Sequence, residues 1–144
     1  IPLYEVPSET TLAFVAGCHL WGKFFKPQRF NSQALNPDDG LDVLPDINSA
    51  RDHYDIRGWH LRPGDAVAFD YRTVHGAPPN TRADRQRRAF SLRLVGEGAT
   101  VARRPGVVTS PPFRNLQIAD GSALSEAYFP TVYPMAPGEN RPPL

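Results

Sequence analysis

Residues 54–76 read Tyr54-Asp-Ile-Arg-Gly-Trp-His-Leu-Arg-Pro-Gly-Asp-Ala-Val-Ala-Phe-Asp-Tyr-Arg-Thr-Val-His-Gly76. Residues 54–61 can make a strand. Arg62-Pro63-Gly64-Asp65 carries turn chemistry, and residues 66–71 form a second apolar strand. The spacing predicts a hairpin. It brings His75 to the lip of a sheet, where the turn Gly76-Ala77-Pro78-Pro79-Asn80 holds it.

Upstream, residues 10–16 are β-branched, aromatic and apolar and stop at Gly17, the pattern of a buried strand closed by a turn. Residues 19–49 show no sustained period of 2 or 3.6. They carry Trp21, Phe24, Phe25 and several prolines, which predicts a long ordered excursion that covers a substrate. Downstream, Phe90, Leu92 and Leu94 alternate with Ala89, Ser91 and Arg93, so residues 88–95 read as a half-buried strand. Beyond Arg103 the chain is rich in proline, with one short helix expected around residues 122–128. This is a mostly β pattern of short strands, long loops and little helix, as in a sandwich, barrel or jelly roll.

The composition sets outer bounds. The chain has 144 residues and a mass of 16.0 kDa, which suits one domain. Sixteen prolines and eleven glycines leave little room for long helices. A formal net charge of +1 gives no global field to favour nucleic acid or anionic lipid, so neither nucleic acid nor membrane is expected as a partner. No apolar run is long enough to span a bilayer and no secretory signal opens the chain, so a soluble protein is expected. The single cysteine, Cys18, excludes an internal disulfide framework and fits a reducing compartment, with the cytoplasm as the default. The opening Ile1-Pro-Leu-Tyr-Glu-Val-Pro7 reads as the middle of a domain, so a fragment is expected.

Among His19, His53, His60 and His75, only His75 has a context that suits a metal ligand as well as it suits packing. Arg87 stands twelve residues further on, at the entry to the predicted strand. Its planar fork matches a carboxylate, and Ser91, four positions on, faces the same side of that strand. The plainer reading makes Arg82, Arg85, Arg87, Arg88 and Arg93 a solvated basic loop.

The order of these motifs resembles the phytanoyl-CoA dioxygenase-like branch of the Fe(II)/2-oxoglutarate oxygenases. Residues 11–22, Thr11-Leu-Ala-Phe-Val-Ala-Gly-Cys-His-Leu-Trp-Gly22, are similar to that family's strand ending in Pro-Gly-Ser-His, with Ala16 in place of Pro and Cys18 in place of Ser. Residues 63–76, then Asn80 and residues 87–91, are similar to its metal-histidine and oxoglutarate-arginine segment. Ser110-Pro-Pro-Phe113 and Phe129-Pro-Thr-Val-Tyr133 are similar to its C-terminal tail.

The resemblance implies a double-stranded β-helix (jelly roll) of which residues 1–144 are the C-terminal part. It implies an oxidoreductase, a hydroxylase acting on a small organic molecule while 2-oxoglutarate goes to succinate and CO2. Its cofactors are Fe(II) and the co-substrate 2-oxoglutarate, with His75 as the distal iron ligand and Arg87 and Ser91 on the co-substrate. The arginine stands one residue later than the family's usual spacing, where Gln86 falls, so Arg87 is taken over Arg85. Ala77 stands where the family often has serine. No histidine lies upstream of Thr11, so the family's His-x-Asp pair has no counterpart there. His53-Tyr54-Asp55 fits that pair, but its spacing from His75 argues for coincidence.

Two other readings stand beside the oxygenase. One is a jelly-roll binding module without a complete iron site. The other is a cupin-like metal enzyme that keeps His75 and has no use for Arg87. Of the remaining residues, Cys18 reads as buried packing, Trp59 as core, His60 as outward, and Asp70 as a turn or site hydrogen-bonder. His19 and Trp21 sit at a turn or a cavity mouth. Nothing specifies the substrate or the oligomeric state.

Overall fold

The computed structural model describes residues 1–28, 40–80, 84, 86–103 and 117–133. The chain divides into two compact units, Ile1–Arg93 and Leu94–Leu144. The first holds a three-stranded antiparallel sheet of β1 (Ala13–Val15), β2 (Ile56–Arg57) and β3 (His75–Gly76), in the order β2-β1-β3. Three 3-10 turns, at Ser8–Thr10, Cys18–Leu20 and Arg51–His53, complete the regular structure, and no α-helix occurs among the described residues. No helix there is long and apolar enough to cross a membrane.

β1 is the central strand and carries the buried apolar side chains of the sheet. Phe14 is 6% exposed and Val15 4%, and Cys18, just past Gly17, is 2% exposed. Register is set by Phe14, which lies opposite Arg57 on β2 and opposite His75 on β3. Residues directly opposite share a face, so Phe14 and His75 meet on one side of the sheet. Gly17 turns the chain out of β1 at a φ of 75°, which only glycine adopts cheaply. No heavy atom lies within 4 Å of where its Cβ would be, so Gly17→Ala adds backbone strain alone. It is expected to cost about 1–2 kcal/mol, read as a lower urea midpoint.

The hairpin expected from residues 54–71 is not formed. The turn at residues 62–65 is present, with the Asp65 amide donating to the Arg62 carbonyl at 3.0 Å and the Arg62 amide to Asp65 Oδ2 at 2.7 Å. Its two arms take other partners or none: β2 pairs with β1, and Leu61 exchanges two backbone hydrogen bonds with Val6. The expected strand over residues 88–95 is also absent. Ala89 alone bridges Pro2, while Phe90 and Leu92 are exposed. A strand needs a neighbour to satisfy its backbone, and among the described residues no β-bridge extends this pairing over residues 91–95.

Trp59, expected in the core, is 47% exposed, because the arm that carries it lies past the end of β2. The long excursion is closed at its base. Phe25 bridges Asp42 in parallel, with the Lys26 amide on the Asp42 carbonyl and the Asp42 amide on the Phe24 carbonyl, both at 2.8 Å. Trp21 stacks edge-on against Phe25 and tilts against Tyr54, holding that base to the fold. The middle of the excursion, residues 29–39, lies outside the described residues.

In the second unit, Thr100 bridges Ala123, and Val101 is buried between bonds to Ser122 and Gly121. The short helix expected at residues 122–128 is a set of turns instead. The Tyr128 and Phe129 amides both reach the Ser125 carbonyl, and Glu126 is drawn forward onto the Thr131 amide and hydroxyl. Residues 110–113, likened above to a family tail, lie outside the described residues.

Candidate active site

His75 begins β3 and is held from three sides. Its Nδ1 lies 2.8 Å from the Thr73 carbonyl. A carbonyl only accepts, so Nδ1 carries a proton, and in its neutral form the ring keeps its lone pair on Nε2, the tautomer a metal ligand needs. The Phe14 ring stacks beside the imidazole at 5.9 Å between centroids, and the Phe69 ring tilts onto it at 4.9 Å. Behind the strand, the Val15 amide donates to the Val74 carbonyl, and the Val74 amide donates to Cys18 Sγ at 3.1 Å. The buried Cys18 thus buttresses the residue next to His75. This role for Cys18 goes beyond the buried packing expected from its place after Gly17.

The approach to His75 is shaped by Asp70. Its carboxylate grips Arg72 through two guanidinium contacts of 3.0 and 3.1 Å and takes the Arg72 amide at 2.8 Å, while its carbonyl takes the Thr73 amide. This is the turn-stabilising role. The Arg72 side chain first, then its amide, hold the Asp70 carboxyl at about 2, well below the usual range, and His19 adds a smaller pull. The sign follows from the folded value lying below the ordinary 3.8. The stabilisation is complete above that value and is lost as pH falls toward 2. Acid unfolding is therefore expected to steepen between about pH 4 and 2, and Asp70→Asn to flatten that limb, as read by circular dichroism.

Arg87 ties three segments together. Its Nη1 donates to the Thr10 carbonyl at 2.5 Å and to the Pro78 carbonyl at 3.2 Å. Nε and Nη2, the two nitrogens with which an arginine can grip a carboxylate in two parallel bonds, carry no hydrogen bond to the described residues. Beside it, a cleft of about 30 Å³ is bounded by Val6, Thr10, Asn80 and Arg87, room for a group the size of a carboxylate or a water or two. Ser91 lies past Ala89 and is exposed. The strand whose alternation was to set it beside Arg87 does not form. Arg88 turns instead to Gln86, with contacts of 2.9 and 3.2 Å. Arg82 and Arg85 lie outside the described residues.

His53 and Asp55 are not brought to His75. His53 ends a 3-10 turn, so strand alternation does not align it with Asp55. Asp55 holds Arg57 at 2.6 and 2.9 Å, and that guanidinium lowers its carboxyl. β2 and β3 also flank β1 on opposite sides, about 10 Å apart at two strand spacings. Among the described residues no three His, Cys, Asp or Glu gather to hold a metal. His60 points outward as expected, onto Glu5 at 2.8 Å.

The family model of phytanoyl-CoA dioxygenase (PhyH) matches residues 6–89, more than half of the chain, spanning both His75 and Arg87. No curated protein and no solved structure matches.

Proposed function

Because the chain belongs to the phytanoyl-CoA dioxygenase family, we propose that it is the C-terminal part of a jelly-roll oxygenase that uses Fe(II) and 2-oxoglutarate to hydroxylate a small organic molecule. The observation that carries this reading is the His75 ring, fixed at Nδ1 by Thr73 and open at Nε2. Iron(II), when bound with 2-oxoglutarate, would supply oxidative decarboxylation by O2, one oxygen atom going to succinate as CO2 leaves and the other into a C–H bond of the substrate. The described residues offer one imidazole of the usual set of two histidines and a carboxylate. The chain's own work is therefore orientation: His75 presents Nε2, Phe14 and Phe69 keep the ring from turning, and the Arg87 fork takes the far carboxylate of 2-oxoglutarate.

Anaerobic calorimetry with Fe(II) and 2-oxoglutarate tests this. One 2-oxoglutarate per chain is expected, with binding weakened when Fe(II) is left out. Absence of any binding would refute it. A second reading, a jelly-roll binding module that keeps the fold without an iron site, is favoured by the lack of a three-ligand cluster among the described residues. It predicts no Fe(II) dependence in the same titration.

A further inference from the structure

The cleft beside Arg87 contains a carboxylate of its own. Glu5 borders it together with Arg87 and Arg88. At about 30 Å³ the cleft is small enough that groups on facing walls lie within a side chain's reach of one another. Of the two guanidiniums, Arg88 has Nε and Nη2 on Gln86 Oε1, at 3.2 and 2.9 Å. Arg87 gives Nη1 to the Thr10 and Pro78 carbonyls, and its Nε and Nη2 carry no hydrogen bond to the described residues. A carboxylate is the acceptor that suits those two N–H groups best, yet Glu5 does not take them.

Glu5 is held elsewhere by the arm that precedes the turn at residues 62–65. Val6 and Leu61 form an antiparallel bridge with two backbone hydrogen bonds. That register sets Arg62 opposite Glu5, with His60 one step off. Glu5 Oε1 accordingly meets His60 Nε2 at 2.8 Å and lies 4.0 Å from Arg62 Nε. Val6 is buried, so the backbone of this clasp is firm. The Glu5 and His60 side chains are 53% and 45% exposed, so the contact between them is weak and Glu5 is able to change partners.

We propose that Glu5 is a built-in competitor for the Arg87 guanidinium, and that His60 and Arg62 keep the cleft open to an outside carboxylate by holding Glu5 off it. With the tether removed, the Glu5 carboxylate swings onto Arg87 Nε and Nη2, and a ligand must displace a charge-assisted pair that the chain itself supplies. The proposal rests on Arg87 being a carboxylate partner, as in the oxygenase reading, and not on iron.

The test uses the intact protein, free of metal and labelled with nitrogen-15 in arginine. The probe is glutarate, a dicarboxylate as long as 2-oxoglutarate that lacks the keto group. The Arg87 Nε–H resonance is identified by its loss in Arg87→Lys. In His60→Ala that resonance is expected to move before any probe is added, as Glu5 arrives. Glutarate affinity is expected to fall about threefold, the scale of an exposed charge pair. Adding Glu5→Gln to His60→Ala is expected to reverse both changes. His60→Gln, which still offers an N–H to Glu5, is expected to show neither. An Arg87 resonance that stays put in His60→Ala, a loss of affinity that persists in the double variant, or no glutarate binding by the parent would overturn the proposal. Glutarate results as expected, with no Fe(II)-dependent binding of 2-oxoglutarate, would defeat the oxygenase reading and uphold the competitor role of Glu5. The contacts of His75 are with Thr73, Phe14 and Phe69, so Fe(II) retention is expected to be equal in the parent and these His60 and Glu5 variants.

Discussion

His75→Ala is expected to lower Fe(II) affinity roughly a hundredfold or more, since losing even an outer partner of a metal ligand costs about 10- to 100-fold. The side chain is exposed at the start of a two-residue edge strand, so its loss leaves β1 and its partners in place. Circular dichroism should therefore be unchanged while metal retained after anaerobic desalting falls. His60→Ala is the matched control, because that ring is occupied by Glu5 on the outside of the fold. Metal retention that survives His75→Ala would remove this residue from the site. A Thr73 substitution cannot serve instead, because the group that orients the imidazole is a main-chain carbonyl and persists in every variant.

The second large effect is expected at Arg87. Arg87→Ala should raise the dissociation constant for 2-oxoglutarate by roughly tenfold or more, since a hydrogen bond to a charged group contributes about 1.5–3 kcal/mol. Arg87→Lys should recover little of this, because an ammonium keeps the charge and loses the two-pronged geometry. The same side chain bonds the Thr10 and Pro78 carbonyls, so both variants should also unfold at lower urea. The two effects separate cleanly: loss of stability lowers the folded fraction, whereas loss of the fork weakens binding by the chains that remain folded. Arg85→Ala should leave 2-oxoglutarate affinity unchanged. An affinity that drops for Arg85→Ala and holds for Arg87→Ala would move the carboxylate partner two residues back.

The sequence made some of this legible for physical reasons. Residues 10–16 had the apolar, β-branched content of a buried strand, and β1 forms inside them, ending at Gly17 where the left-handed turn requires glycine. The Pro-Gly-Asp turn also follows from local chemistry, whereas His75 lies on a strand through its pairing with β1 and not as the lip of the expected hairpin. What sequence could not supply is the choice of partner. Residues 54–61 and 66–71 look like neighbours along the chain, yet β2 goes to β1 and Leu61 goes to Val6. Alternation in residues 88–95 signals a face but cannot say whether anything covers it. At the candidate site, His75 and Arg87 were singled out by the family resemblance, and their roles remain a proposal. The Thr73 carbonyl, Cys18 behind Val74 and the rings of Phe14 and Phe69 were not, because each acts through contacts set by sheet register. One signal was available: Phe14 sits mid-strand in the central segment, where its opposite numbers on both neighbours must share its face.

The most direct test of the oxygenase account is succinate formed from 2-oxoglutarate by the intact protein with Fe(II), before and after oxygen is admitted. The account predicts succinate only when iron and oxygen are both present, and its loss in His75→Ala and Arg87→Ala. No succinate under any condition, or equal amounts from the parent chain and His75→Ala, would contradict it.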